Sequence, residues 1–175
     1  MSINDVKNVL IVAVVEGDCM DIYTVSLFGH RKIDNLRNLE ERLGKITREL
    51  IRTKTHVDFL IGRNGEFDEY AASVIKRVQK EVGKENNSIT LVLPYKIRGL
   101  EYYEKYYDSI IIPERVCTAY PKSAITLKNR WMIEQSKLVI GYVERDEGGA
   151  YNALKYASKK NIDVINLYKD IVCSN

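Results

Sequence analysis

Four short segments carry glycine, basic and polar residues of the kinds that hold an anion. The first is Phe28-Gly29-His30-Arg31, at the end of an apolar run. Glycine lets a backbone approach a ligand closely, and the planar fork of Arg31 suits a phosphate or carboxylate. His30 is a further polar contact, and serves as a general base only if a partner orients it. The second is Gly62-Arg63-Asn64-Gly65-Glu66-Phe67-Asp68. Its two glycines lie between an apolar run and a helical pattern, where several backbone N–H groups can face an anion at a helix start. Asp68 falls in the first helical turn, where it either meets a ribose hydroxyl or complements the helix dipole.

The third segment joins Leu93-Pro94-Tyr95 to Ile112-Pro113-Glu114. Tyr95 follows a strand end and suits stacking on a base. Glu114 is either held at the edge of a pocket or solvated. Tyr102, Tyr103, Tyr106 and Tyr107 read as packing or an interface. The fourth joins Asn129 and Arg130, both able to donate to phosphate, to Gly148 and Gly149 at another helix start; Trp131 and Met132 read as core. A complete six-position dinucleotide glycine fingerprint is absent, as is a phosphate-loop GK[ST] motif, which weakens the usual NAD-enzyme and NTPase readings.

The elements that must position these segments alternate in period. Apolar runs at 22–28, 57–61, 89–93, 109–112, 138–143 and 164–167 read as strands. Leu36, Leu39, Leu43, Ile46 and Leu50 form the stripe of an amphipathic helix with Asp34 as its cap. Phe67, Ala71, Val74, Val78 and Val82 form a second, closed by Gly83. Residues 100–107 read as a short helix or ordered loop, 123–136 as a helix, and a further helix runs from Gly148 to about residue 160. Strands alternating with helices predict an α/β, Rossmann-like three-layer fold with a mainly parallel sheet. Such sheets bind ligands beyond the carboxyl ends of their strands, where strand order reverses.

The chain has 175 residues, 45% of them hydrophobic and 29% charged, which suits one globular domain. A net charge of +3 is too mild to argue for nucleic acid by itself. Cys19, Cys117 and Cys173 are odd in number and widely spaced, favouring reduced thiols and a cytoplasmic protein. No metal-ligand spacing occurs, and neither a metal nor a cofactor is expected. The apolar run at 9–15 is far short of the ~20 residues a membrane helix needs. Residues 1–19 read as an N-terminal extension, either an extra strand or a translated leader. The segment Glu16-Gly17-Asp18-Cys19 can be encoded as a purine-rich ribosome-binding sequence ahead of Met20. Residues 20–175 then form one domain.

In order, SLFGHR (26–31), FLIGRNGEFDEYA (59–71), LVLPY (91–95), IIIPE (110–114), AITLKNRWMIEQS (124–136), VIGYV (139–143), GGA (148–150) and VINLY (164–168) resemble the SLOG superfamily (SMF/DprA–LOG). The match is to its short bacterial single-domain members of uncharacterised function. The resemblance implies a Rossmann-like fold, self-association into homo-oligomers, and a pocket for nucleotides or nucleotide-derived ligands. By matching motif, the implied pocket residues are Gly29, His30, Arg31, Gly62, Asn64, Gly65, Asp68, Tyr95, Glu114, Asn129, Arg130, Gly148 and Gly149, with Arg63 beside them. Some members release a base from nucleoside monophosphates, others sense signalling nucleotides, and one branch binds single-stranded DNA. The hydrolase branch resembles a PGGxGTxxE pattern. Here Asp146-Glu147 precede the glycines, Ala150-Tyr151-Asn152-Ala153-Leu154 follow, and the downstream glutamate is missing.

Three functions are therefore weighed. The preferred one is a module that senses or sequesters a nucleotide-like ligand, working with a second copy or a separate effector protein. The second is a phosphoribohydrolase or N-glycosidase, whose carboxylate would be Asp68 or Glu114. The third is single-stranded nucleic-acid binding, which wants a basic groove with exposed aromatics.

Overall fold

Six apolar runs become six strands in the computed structural model, which describes residues 21–33 and 36–172. The extension at 1–19, its boundary at Met20 and the cap assigned to Asp34 lie outside the described residues. The strands are β1 (Ile22–Gly29), β2 (His56–Ile61), β3 (Asn87–Val92), β4 (Ser109–Ile111), β5 (Leu138–Tyr142) and β6 (Asp163–Asn166). All pair in parallel, in the order β4-β3-β2-β1-β5-β6. The fold is α/β and Rossmann-like, as the alternating periodicity requires.

Helices α1 (Leu36–Thr53) and α2 (Glu66–Val82) follow β1 and β2. Leu39, Leu43 and Leu50 of α1 are buried, as are Phe67, Ala71, Val74 and Val78 of α2. These residues pack with Val25, Leu27, Val57, Phe59 and Ile61 into one core. The glycine closing α2 is needed for its geometry: Gly83 sits at φ 98, where a side chain is strained.

The opposite face is covered by α5 (Pro121–Glu134) and α6 (Gly148–Lys159). Met132, Ile133, Ala153, Leu154 and Ala157 pack there on Phe28, Leu60 and Val139. Three short helices complete the described chain. The tyrosine-rich stretch forms α3 (Leu100–Glu104), Glu114 opens α4 (Glu114–Cys117), and α7 (Leu167–Val172) starts where the last strand was expected to end. Leu167 turns into the core as a helical residue and is fully buried, which is why the strand stops one residue earlier.

Strand order reverses between β1 and β5. Chain β1 to β4 proceeds outward in one direction, and β5 returns to the other side of β1. The loops after β1, β2 and β5 consequently open at one place.

Candidate functional site

At this reversal the loops after β1, β2 and β5 enclose a cleft of about 620 Å³, with α5 and α6 contributing its remaining walls. Gly29, His30, Arg31, Gly62, Asn64, Asp68, Asn129, Gly148 and Gly149 all line it. So do residues that sequence reasoning did not single out: Lys32, Ile125, Lys128, Arg145 and Glu147. Lys32, Arg31 and Arg145 are exposed and form a basic rim.

The floor is an acid and a base. Lys128 is 2% exposed and Asp68 9% exposed. A methyl group placed on Gly62 would stand 2.8 Å from Lys128 Nζ and 3.4 Å from Asp68 Oδ2. Both groups therefore lie against this glycine, and all three residues line the cleft. Burial lowers the Lys128 ammonium to a pKa of about 8, with Asp68 opposing the shift. Burial likewise raises the Asp68 carboxyl, opposed by Lys128 and by the N–H groups of Asn64 and Gly65. The Asn64 N–H donates to Asp68 Oδ2 at 2.6 Å. Asp68 thus shapes the loop after β2 as well as facing the cleft. The Lys128 ammonium makes no hydrogen bond with the described residues.

In the sequence Lys128 is masked by its type, because a lysine in a helix reads as a solvated side chain. A signal was nonetheless present. Ala124, Lys128 and Met132 recur every four residues and are all buried, so Lys128 occupies the inward stripe of α5.

His30 is fixed as a neutral imidazole. Its Nε2 accepts the N–H of Glu144 at 3.0 Å and that of Arg145 at 3.2 Å. An acceptor nitrogen carries no proton, so the ring proton sits on Nδ1. Burial, with Arg145 nearby, lowers its pKa. The ring pins the loop between β5 and α6 to the end of β1.

Helix α6 starts without a side-chain cap, and Gly148 has φ 89. A Cβ built on Gly148 or Gly149 meets no atom within 4 Å. Both glycines line the cleft, and the dipole of α6 favours an anion at this end of the helix. Gly65 has another role. A Cβ there would lie 2.6 Å from Arg31 Cα, so Gly65 allows α2 to start directly against the loop after β1.

The remaining candidates stand outside the cleft lining. Arg63 turns away to Tyr103, donating to its hydroxyl at 2.7 Å with the guanidinium 5.1 Å from the ring centre. Tyr95 is 54% exposed, Glu114 is an exposed residue at the start of α4, and Arg130 lies 5.3 Å from the ring of Tyr156. Asn129 and Arg130 are adjacent in sequence, but one helical step turns them to different surroundings. Among the described residues no group of three or more His, Cys, Asp or Glu is placed to hold a metal ion, and no helix is long and apolar enough to cross a membrane.

No family model and no curated protein matches the sequence. Solved structures do match the fold. DNA processing protein A (DprA) from Streptococcus pneumoniae aligns with a TM-score of 0.60 and 14% identity, over 82% of this chain and 49% of that one. DprA from Helicobacter pylori, described for its single-stranded DNA binding mode, aligns with a TM-score of 0.58 and 14% identity, over 87% of this chain and 72% of that one. The chain thus spans about half the length of the Streptococcus protein. At this identity the likeness establishes a shared α/β, Rossmann-like fold.

Proposed function

We propose that the cleft binds a nucleotide or a nucleotide-derived ligand, and that the protein senses or sequesters it. The observation that carries this reading is the convergence of unmet donors on one cavity: the Lys128 ammonium, the uncapped start of α6, and the basic rim of Arg31, Lys32 and Arg145. A volume of about 620 Å³ lies within the range of small-molecule sites. A phosphate suits the α6 N-terminus and the arginines. Ribose hydroxyls suit the floor, where Asp68 accepts and Lys128 donates. Phe28 and Ile125 offer apolar surface to a base.

Turnover is less well supported than binding. Cleavage of a ribosyl bond calls for an ionised carboxylate beside the sugar. Asp68 is buried, with its pKa raised and its oxygen engaged by a backbone N–H, and Glu114 lies outside the cleft lining. A sensor acts through a partner, and a second copy of the chain or a separate effector protein belongs to this proposal.

Single-stranded nucleic-acid binding is the second reading. It draws on the likeness to DprA from Helicobacter pylori and on the exposed tyrosines Tyr95, Tyr102 and Tyr120, which suit base stacking. Titration calorimetry with nucleoside monophosphates and with oligothymidylate separates the two. Saturable one-to-one binding of a mononucleotide is expected. Failure of every mononucleotide, with tight and strongly salt-dependent binding of the oligonucleotide, replaces the first reading with the second. Mass spectrometry of small molecules released on denaturation identifies a ligand that co-purifies.

A further inference from the structure

We infer that the cleft also takes phosphorylated aldehydes, open-chain aldose phosphates among them, and that Lys128 condenses with their carbonyl carbon to form an imine. This rests on the anion-binding reading of the same cleft and adds a covalent step to it. Three features place the reaction. Lys128 Nζ packs against Gly62, where a methyl group would stand only 2.8 Å away, and both residues line the cleft. The described residues leave that nitrogen without a hydrogen bond, so its lone pair, once the proton is lost, is not tied up. Asp68 Oδ2 lies 3.4 Å from the same point, and Asp68 lines the cleft too.

Burial brings the Lys128 ammonium to a pKa of about 8. Its neutral fraction near pH 7 is then on the order of 100-fold that of an ordinary lysine, whose pKa is about 10.4. Lys76, Lys84 and Lys137 also stand beside carboxylates, Asp108 and Asp21, but none of the three lines the cleft.

The step balances without an oxidant or reductant. Lys128 gives one proton to the solvent of the cleft while Asp68 takes one up from it, and the free amine adds to the aldehyde carbon. The carbonyl oxygen takes up a proton as the nitrogen loses one, giving a carbinolamine. Asp68 returns its proton to the hydroxyl group, which leaves as water while the C=N bond forms. Amine plus aldehyde gives imine plus water. The phosphate of the ligand sits at the α6 N-terminus, which holds the carbonyl end toward the floor.

The test uses the full chain with ribose 5-phosphate and sodium cyanoborohydride, which traps an imine as a stable secondary amine, followed by peptide mapping. Lys128 is expected to be modified about tenfold or more faster than any other lysine, given its larger neutral fraction. Excess adenosine 5′-monophosphate is expected to slow it, and ribose without phosphate to react far more slowly. An unmodified Lys128, or modification spread evenly over the lysines, overturns the inference. If calorimetry still detects mononucleotide binding, the nucleotide reading survives that failure. Selective modification of Lys128 in protein that binds no mononucleotide keeps the imine and removes the nucleotide reading. Equal rates with ribose and ribose 5-phosphate overturn the assignment to phosphorylated aldehydes.

Discussion

The backbone N–H of Glu66 donates to the carbonyl of Arg31 at 3.0 Å, fastening the first turn of α2 to the loop after β1. The Glu66 carboxylate takes the Ile33 N–H at 3.1 Å, a second point of attachment. Gly65 stands against the Arg31 backbone where the two meet. Gly65→Val is therefore expected to do more than alter a surface loop. It must push the Arg31 loop outward, costing about 1–3 kcal/mol as an overpacked contact. Thermal unfolding should show a Tm lowered by several degrees, and calorimetry a weakened mononucleotide. A variant with unchanged Tm and affinity would mean that the two loops can separate freely.

The tie made by His30 is sensitive to acid. Its pKa in the folded chain is lowered from 6.5, so the native state holds its proton less well than the unfolded one. Its contribution is complete above pH 6.5 and is lost as pH falls through the folded value. Protonation puts a hydrogen on Nε2 and evicts the Glu144 and Arg145 amides. Hydrogen exchange should show these two amides losing protection below pH 6.5, relative to the β5 core. His30→Ala should expose both at every pH.

Lys128→Met keeps the length of the side chain and removes its charge. Affinity for nucleoside monophosphates should fall about 10- to 100-fold, the loss of a charged hydrogen bond of about 1.5–3 kcal/mol. Wild-type affinity should also decline as pH rises above about 8, where the ammonium deprotonates, and this decline should be absent from the variant. Stability moves oppositely. Between about pH 8 and 10.5 the unfolded chain holds a proton that the native chain lacks, so this group makes stability rise with pH in that window, by at most about 1.4 kcal/mol per unit. Denaturant unfolding across that range should show the rise in wild type and its loss in Lys128→Met.

The wild type should release no measurable base from common nucleoside monophosphates, because the carboxyl group at the floor is buried and bonded to the Asn64 N–H. Asp68→Asn should change ligand affinity and leave no rate to compare. Robust base release that vanishes in Asp68→Asn would establish the hydrolase instead.

Strands β1 to β5 were legible because each is an apolar run closed by glycine, proline or a charged turn, and α1 because Leu39, Leu43 and Leu50 repeat at helical spacing; β6 has no such stop and runs directly into α7. The three loops of the cleft were legible because each carries glycine between a strand and a helix, although Gly65 and Gly29 serve there to admit Arg31 and Phe67 at close range. Side-chain direction was less so. Arg63 sits in one of these loops yet is drawn off by Tyr103, a residue 40 positions away. Arg130 is drawn off by Tyr156 on the neighbouring helix. Local sequence does not contain those partners. Lys128 was hidden differently, since its residue type contradicts its place on the inward stripe of α5, and only burial exposes that conflict.

The return of β5 to β1 also sets when the cleft can exist. Ser26 Oγ bonds the Met132 carbonyl and Ser136 Oγ, partners 106 and 110 residues further along. Strands β1 to β4 each settle beside the preceding one, whereas β5 must close a loop spanning most of the chain, and such long-range closures are slow. During synthesis the first four strands can assemble while the ribosome still holds α5 and α6. In that interval β1 is a bare apolar edge, open to mispairing with another chain. The cleft is consequently a product of the last stage of maturation, and a nascent chain halted before β5 has every glycine of the first two loops but no cleft to put them in.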